Sequence, residues 1–70
     1  MDLGKFLRLL PQGTYIRVKV AGYCDTFAGK TGARKTDEFL HNVYLKTKPD
    51  PFIYAIYPLY HAMELYIECW

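Results

Sequence analysis

The stretch Phe27–Lys46, FAGKTGARKTDEFLHNVYLK, decides how this chain is read. Its first half contains Gly29-Lys30-Thr31, which ends like a nucleotide-binding P-loop. That motif is Gly-x-x-x-x-Gly-Lys-Ser/Thr, in which the first glycine lets backbone N–H groups turn onto the phosphates. Counting back places Cys24 where that glycine belongs, and Gly22 lies two residues too early. Gly32 follows at once, a strand rather than a helix is expected after it, and 70 residues leave no room for the parallel sheet behind such a loop. The expectation is a glycine-bracketed basic tip between two strands, with Lys30, Arg34 and Lys35 within six residues. The second half, Glu38–Lys46, alternates. Phe39, His41, Val43 and Leu45 take one face, and Leu40, Asn42, Tyr44 and Lys46 the other, which predicts a strand.

Upstream, Thr14–Ala21 (TYIRVKVA) alternates cleanly, with Ile16, Val18 and Val20 on one face and Tyr15, Arg17 and Lys19 on the other. Before it, Leu3, Phe6, Leu7 and Leu10 follow helical spacing behind Asp2 as N-cap, and Pro11 and Gly13 end the turn. Downstream, Lys48–Pro51 (KPDP) has turn composition, and Phe52–Tyr57 (FIYAIY) is β-prone, completing a hairpin with residues 38–46. In the C-terminal MELYIECW, Met63, Leu65, Ile67 and Cys69 alternate with Glu64, Tyr66, Glu68 and Trp70, as in a strand. Leu59, Met63, Tyr66, Ile67 and Trp70 also fit a helical face behind Pro58, but the Tyr and Ile content favours the strand. The sum is one mostly β domain: residues 1–12 form a short amphipathic helix and turn, and residues 14–70 a β-rich body. A small OB-like or SH3-like antiparallel barrel of four to five strands is expected. Its core would hold Ile16, Val18, Val20, Phe39, Val43, Leu45, Ile53, Ile56, Leu65 and Ile67.

Hydrophobic residues make up 51% of the chain and charged residues 23%, a balance that excludes disorder. A net charge of +2 excludes a DNA mimic and is compatible with a nucleic-acid partner. So small a core invites further burial against a second copy, so a homodimer is expected. Two cysteines, Cys24 and Cys69, have no metal-ligand spacing and read as free thiols in a reducing compartment, a single bridge between them being the alternative. No run approaches the roughly 20 apolar residues of a membrane span. The apolar start is short, interrupted by Arg8 and lacks a cleavage site, so a cytoplasmic protein is expected.

Aromatic residues are 17% of the chain, including seven tyrosines. Tyr15 shares a face with Arg17 and Lys19, and Tyr44 with Lys46. Rings among cations are what a single-stranded nucleic acid requires, because bases stack on the rings while cations follow the phosphates. The site expected on this reading is Tyr15, Arg17, Lys19, Lys30, Arg34, Lys35, Phe39 and Tyr44. The competing reading is a protein-binding surface built on Tyr15, Tyr44, Tyr54, Tyr57, Tyr60 and Tyr66, as in a small phage or mobile-element protein that inhibits a host protein.

Residues 18–57, read as strand, basic glycine-containing hairpin, aromatic-led strand, Pro-containing turn and strand, resemble the gene V-type single-stranded DNA-binding proteins of filamentous phages. The resemblance is carried by F-AGKTG-ARKTDEFLHNVYLKTKPDPFIYAI. It implies an OB-type dimer that coats a single strand cooperatively, with Lys30, Arg34, Lys35 and Phe39 as its contacts. The chain departs from that pattern in being shorter, in its helical start and in its acidic C-terminal segment.

Catalytic chemistry has little to stand on. His41 lies on an apolar strand face, and His61 in a turn beside Tyr60. Cys24 with either histidine would make a nucleophile pair, but nothing in the sequence orients one. Neighbouring Asp37 and Glu38 point to opposite faces of a strand. A non-catalytic protein without metal or cofactor is expected.

Overall fold

The computed structural model describes residues 1–23, 25–47, 50–61 and 63–70. The Asp2 side chain accepts the Lys5 N–H and opens helix α1 (Leu3–Leu9), as its sequence predicts. The alternating segment forms strand β1 (Tyr15–Val20), which buries Ile16, Val18 and Val20 and exposes Tyr15, Arg17 and Lys19. Strand β2 (Phe27–Lys30) returns antiparallel to it.

The stretch after β2 departs from the expectation. Residues 38–46 are not a strand but most of helix α2 (Arg34–Lys46). Thr36, Phe39, Leu40 and Val43 stand at i, i+3, i+4 and i+7, one helical stripe, and turn inward. Phe39 and Val43 are four apart and therefore share a face in a strand as well as a helix. His41 and Leu45 separate the two periods: both are exposed, and Leu45 leaves the expected core. Asp37 in the first turn and Lys46 in the last suit the helix dipole.

Strands β3 (Ile53–Leu59) and β4 (Glu64–Cys69) form the second hairpin, so the C-terminal segment is a strand, as its residue content favours. The expected 38–46/52–57 hairpin does not exist, because its first arm is helical; residues 48 and 49 of its turn lie outside the described residues. The sheet order is β2-β1-β4-β3, with β1 and β4 parallel at the centre. An antiparallel barrel is therefore replaced by an open, mixed four-stranded sheet. The edges β2 and β3 stay apart, and α2 supplies the crossover that lets β1 and β4 run the same way. The fold is still small and mostly β.

Both helices cover one face of the sheet. Leu3 and Leu7 of α1 and Phe39 and Val43 of α2 pack with Ile16, Val18, Val20, Ile53, Ile67 and Cys69 in one cluster. Leu65 is partly buried against it, whereas Ile56, expected in the core, is 41% exposed near the β3 edge. Tyr44 locks the helices together: its hydroxyl donates to Asp2 Oδ1 and accepts the Gly4 N–H at 2.9 Å. Pro58 sits inside β3 without losing a ladder bond. Trp70 N–H reaches across to the Phe52 carbonyl while the Cys69 carbonyl faces β1, accepting the Ala21 N–H. Alternation along β4 then turns Leu65, the partner of Pro58, towards β1, so the Pro58 nitrogen faces the open edge.

Candidate binding face

The basic tip is not a hairpin between strands. Lys30 ends β2, and Thr31-Gly32-Ala33 turns the chain directly into α2, with Gly32 at φ +81°. A strand, a glycine turn and a helix therefore do follow one another, contrary to the expectation. The turn is nonetheless committed to the fold. Thr31 is 6% exposed; its hydroxyl donates to the Pro11 carbonyl at 2.6 Å and accepts the Thr14 N–H at 3.0 Å. The Thr31 N–H donates to the Thr14 carbonyl, and the Thr36 hydroxyl to the Lys30 carbonyl at 2.5 Å. The threonine of the GKT triplet thus splices the α1–β1 connection to the β2–α2 turn, leaving neither its hydroxyl nor its N–H for a phosphate.

The expected contacts divide into three groups. Tyr15, Arg17, Lys19 and Lys30 share the sheet face that no helix covers, with the Lys30 ammonium 4.8 Å from the Tyr15 ring centroid. Arg34 and Lys35 are exposed on the first turn of α2, where Arg34 pairs with Glu38 at 3.4 Å. Phe39 and Tyr44 leave the surface set. Phe39 is 8% exposed and stacks on Phe27 at 4.4 Å, while Tyr44 is bonded to α1. Strand alternation predicts an outward Tyr44, which the helical period turns towards α1; the family resemblance implies an outward Phe39, which lies on the core face in either period.

What the uncovered face adds comes from the second hairpin. Tyr66 of β4 stacks with Tyr57 of β3, centroids 6.0 Å apart, and Trp70 lies 4.6 Å from Tyr54. Tyr15, Tyr54, Tyr57 and Trp70 are each about half exposed or more. Two carboxylates stand among the rings. Glu64 holds Arg17 Nε at 3.0 Å, and Glu68 accepts the Tyr66 hydroxyl at 3.2 Å. Burial, followed by the neighbouring Glu68, raises the pKa values of the Tyr54 and Tyr66 hydroxyls, so both phenols stay protonated donors at neutral pH. Sequence reading missed Glu64, Glu68 and Trp70 as members of this face. Their alternation with Leu65, Ile67 and Cys69 is visible in the sequence, but the pairing of β4 with β1 that sets them beside Arg17 and Lys19 is not.

Burial lifts the Cys69 thiol to about 11, so it rests as a buried, unreactive thiol. Cys24 lies outside the described residues, and with it the question of a bridge. Among the described residues no three His, Cys, Asp or Glu side chains converge as metal ligands, and no helix is long and apolar enough to cross a membrane. In comparisons with known proteins, no family model, curated protein or solved structure matched the chain.

Proposed function

We propose that the protein is a non-catalytic binding module whose uncovered sheet face docks a protein partner. One observation carries this reading: a helix-free face on which Tyr54, Tyr57, Tyr66 and Trp70 form two ring pairs on adjacent strands. Tyrosine and tryptophan offer large contact area at little conformational cost, and their polar tips bond to a partner when the rings are covered. Glu64 and Glu68, set among the rings, favour a partner with matching donors over a polyanion. A few such rings would carry most of the affinity. The test compares the proteins retained from cells of the source organism by the wild-type chain and by Tyr57→Ala/Tyr66→Ala. A stoichiometric partner that withstands moderate salt and is lost from the variant is expected. A partner retained equally by both would remove the face from the account.

A second reading keeps single-stranded nucleic acid as the ligand. It is favoured by the half of the face formed by β1 and β2, where Lys30 lies over Tyr15 and Lys19 follows along β1. There a base would stack on Tyr15 while Lys19, Lys30 and the nearby Arg34 and Lys35 met phosphates. This binding would weaken steeply with salt. Titration of labelled single-stranded and duplex oligonucleotides at two salt concentrations separates the readings: no single-strand binding at low salt discards the second.

A further inference from the structure

We infer that the partner of this face is a second copy of the chain, packed sheet on sheet about a two-fold axis that runs along the strands between β1 and β4. The inference rests on the protein-binding reading above and names its partner. Its ground is the way charge is divided across the face. Among the described residues its cations, Arg17, Lys19 and Lys30, all lie on β1 and β2, and its carboxylates, Glu64 and Glu68, both lie on β4.

The strand register fixes which residues lie abreast. Lys30, Tyr15, Glu64 and Leu59 occupy one level, and Ala28, Arg17, Tyr66 and Tyr57 the next. Lys19 and Glu68 make the third. Two sheets packed face to face sit about 10 Å apart with strands nearly aligned. Two in-plane two-fold directions are compatible with that alignment. An axis across the strands would lay β1 on β1 and β4 on β4, setting Arg17 against its own copy and Glu64 against Glu68. An axis along the strands lays β1 of one copy on β4 of the other. Lys19 then faces Glu68, Arg17 faces the Tyr66 ring, and Tyr57 comes down over Ala28, the smallest side chain on that part of the face. Charge selects the second axis, because like charges brought together in an interface are repulsive and opposite ones fix the pairing.

The size of the face sets the class of interface it can form. Strands of four to seven residues about 4.8 Å apart span a flat footprint of roughly 360 Å² per copy, a small one for an interface whose standard size is ~800 Å² of accessible surface on each partner. A face of that size suits a reversible association, so the dimer dissociates on dilution.

Charge reversal with mixing tests both the contact and its symmetry. Sedimentation of the wild-type chain from about 5 µM to about 500 µM, spanning the range expected of a small interface, should show a monomer–dimer equilibrium. Lys19→Glu alone and Glu68→Lys alone should each shift it at least tenfold towards monomer, since each sets like charges together twice. An equimolar mixture of the two should recover a one-to-one dimer. In that mixed pair the new glutamate of one variant meets the new lysine of the other, and the native Glu68 of the first meets the native Lys19 of the second. Circular dichroism of each variant separates loss of pairing from loss of fold. Should a variant unfold, the same readout passes to Arg17→Glu with Tyr66 intact, which should also weaken the dimer. A wild-type monomer throughout, or a dimer indifferent to the substitutions, overturns the inference. If that monomer still captures another protein through Tyr57 and Tyr66, only the identity of the partner falls; if it captures none, the protein-binding reading falls with it.

Discussion

The two faces of one sheet are built from the same strands and behave oppositely. Ile16, Val18 and Val20 of β1 and Ile67 and Cys69 of β4 are buried under two helices. One residue away along each strand, Tyr15, Arg17, Lys19, Tyr66 and Glu68 meet no helix at all. The inner face carries the stability of a 70-residue chain, and the outer face holds rings and charges that folding leaves uncovered. The contrast is sharpest between Ile67 of β4 and Tyr57 of β3, one register step apart on opposite faces. Ile67→Ala should cost about 2–5 kcal/mol, as large-to-small core substitutions do, whereas Tyr57→Ala, at a half-exposed position, should stay within about 1 kcal/mol. Urea unfolding measures both. Similar losses at the two positions would mean that the outer rings serve the fold rather than a partner.

The next effect lies at the edge of the inner face. Phe27 stacks on Phe39 only because Gly29 leaves room. A Cβ built there would stand 2.7 Å from the Phe27 ring and 3.1 Å from Thr36 Oγ1. Gly29→Ala should therefore destabilise by about 1–3 kcal/mol through overpacking. An unchanged unfolding midpoint would show that β2 moves freely over α2. Ala28 faces the other way, and Ala28→Ser should leave stability within about 0.5 kcal/mol.

Alkaline pH probes the inner face and the helix lock without substitution. Burial raises the Cys69 thiol to about 11, and burial together with the bond to Asp2 raises the Tyr44 phenol to about 12. Both groups hold their protons more tightly in the folded chain than in the unfolded one. Their stabilisation is complete below the unfolded values, 9.0 and 10.0, and is lost as pH climbs through the folded ones. Stability should fall between about pH 9 and pH 12, and Cys69→Ala and Tyr44→Phe should each flatten the fall. Tyr44→Phe also leaves Asp2 without its phenol donor. Asp2 has a lowered pKa: burial, which opposes the shift, is outweighed by the Tyr44 and Lys5 bonds. The wild-type chain accordingly loses that stabilisation as pH falls through the lowered value, and the variant should lose less of it.

Legibility follows the same division. In β1 every inward position is a β-branched aliphatic and every outward one is polar or aromatic, so the period of two has no rival, and the sequence places Tyr15, Arg17 and Lys19 outward correctly. In α2 the buried Phe39 and Val43 fit both periods, and the two leucines pull apart: Leu45 extends a strand face, Leu40 a helical one. That one ambiguity carries Tyr44 to the wrong surface and turns a helix start into a hairpin tip, whereas the outward Phe39 follows from the family resemblance. The parallel pairing of β1 with β4 has no local signal, since it joins residues 49 apart in sequence, such as Tyr15 and Glu64. The division of charge across the outer face follows only from that pairing.

A small effect on stability separates the two readings of the outer face. Arg17 and Glu64 are joined at 3.0 Å with the arginine side chain 46% exposed. Breaking such a pair by Glu64→Gln should cost at most about 1 kcal/mol of stability. Its effect on binding is the informative one. If phosphates follow β1, removing the carboxylate frees Arg17 for one more contact. Single-strand affinity should then rise at low salt, and the slope of log K against log salt should steepen by about 0.7. If the face meets protein, the freed cation gains nothing from an oligonucleotide, and the slope should remain flat. Arg17 neutralised by Glu64 counts against a polyanion on this part of the face, and the substitution removes that obstacle by exchanging one carboxylate oxygen for an amide nitrogen while leaving the ring pairs in place.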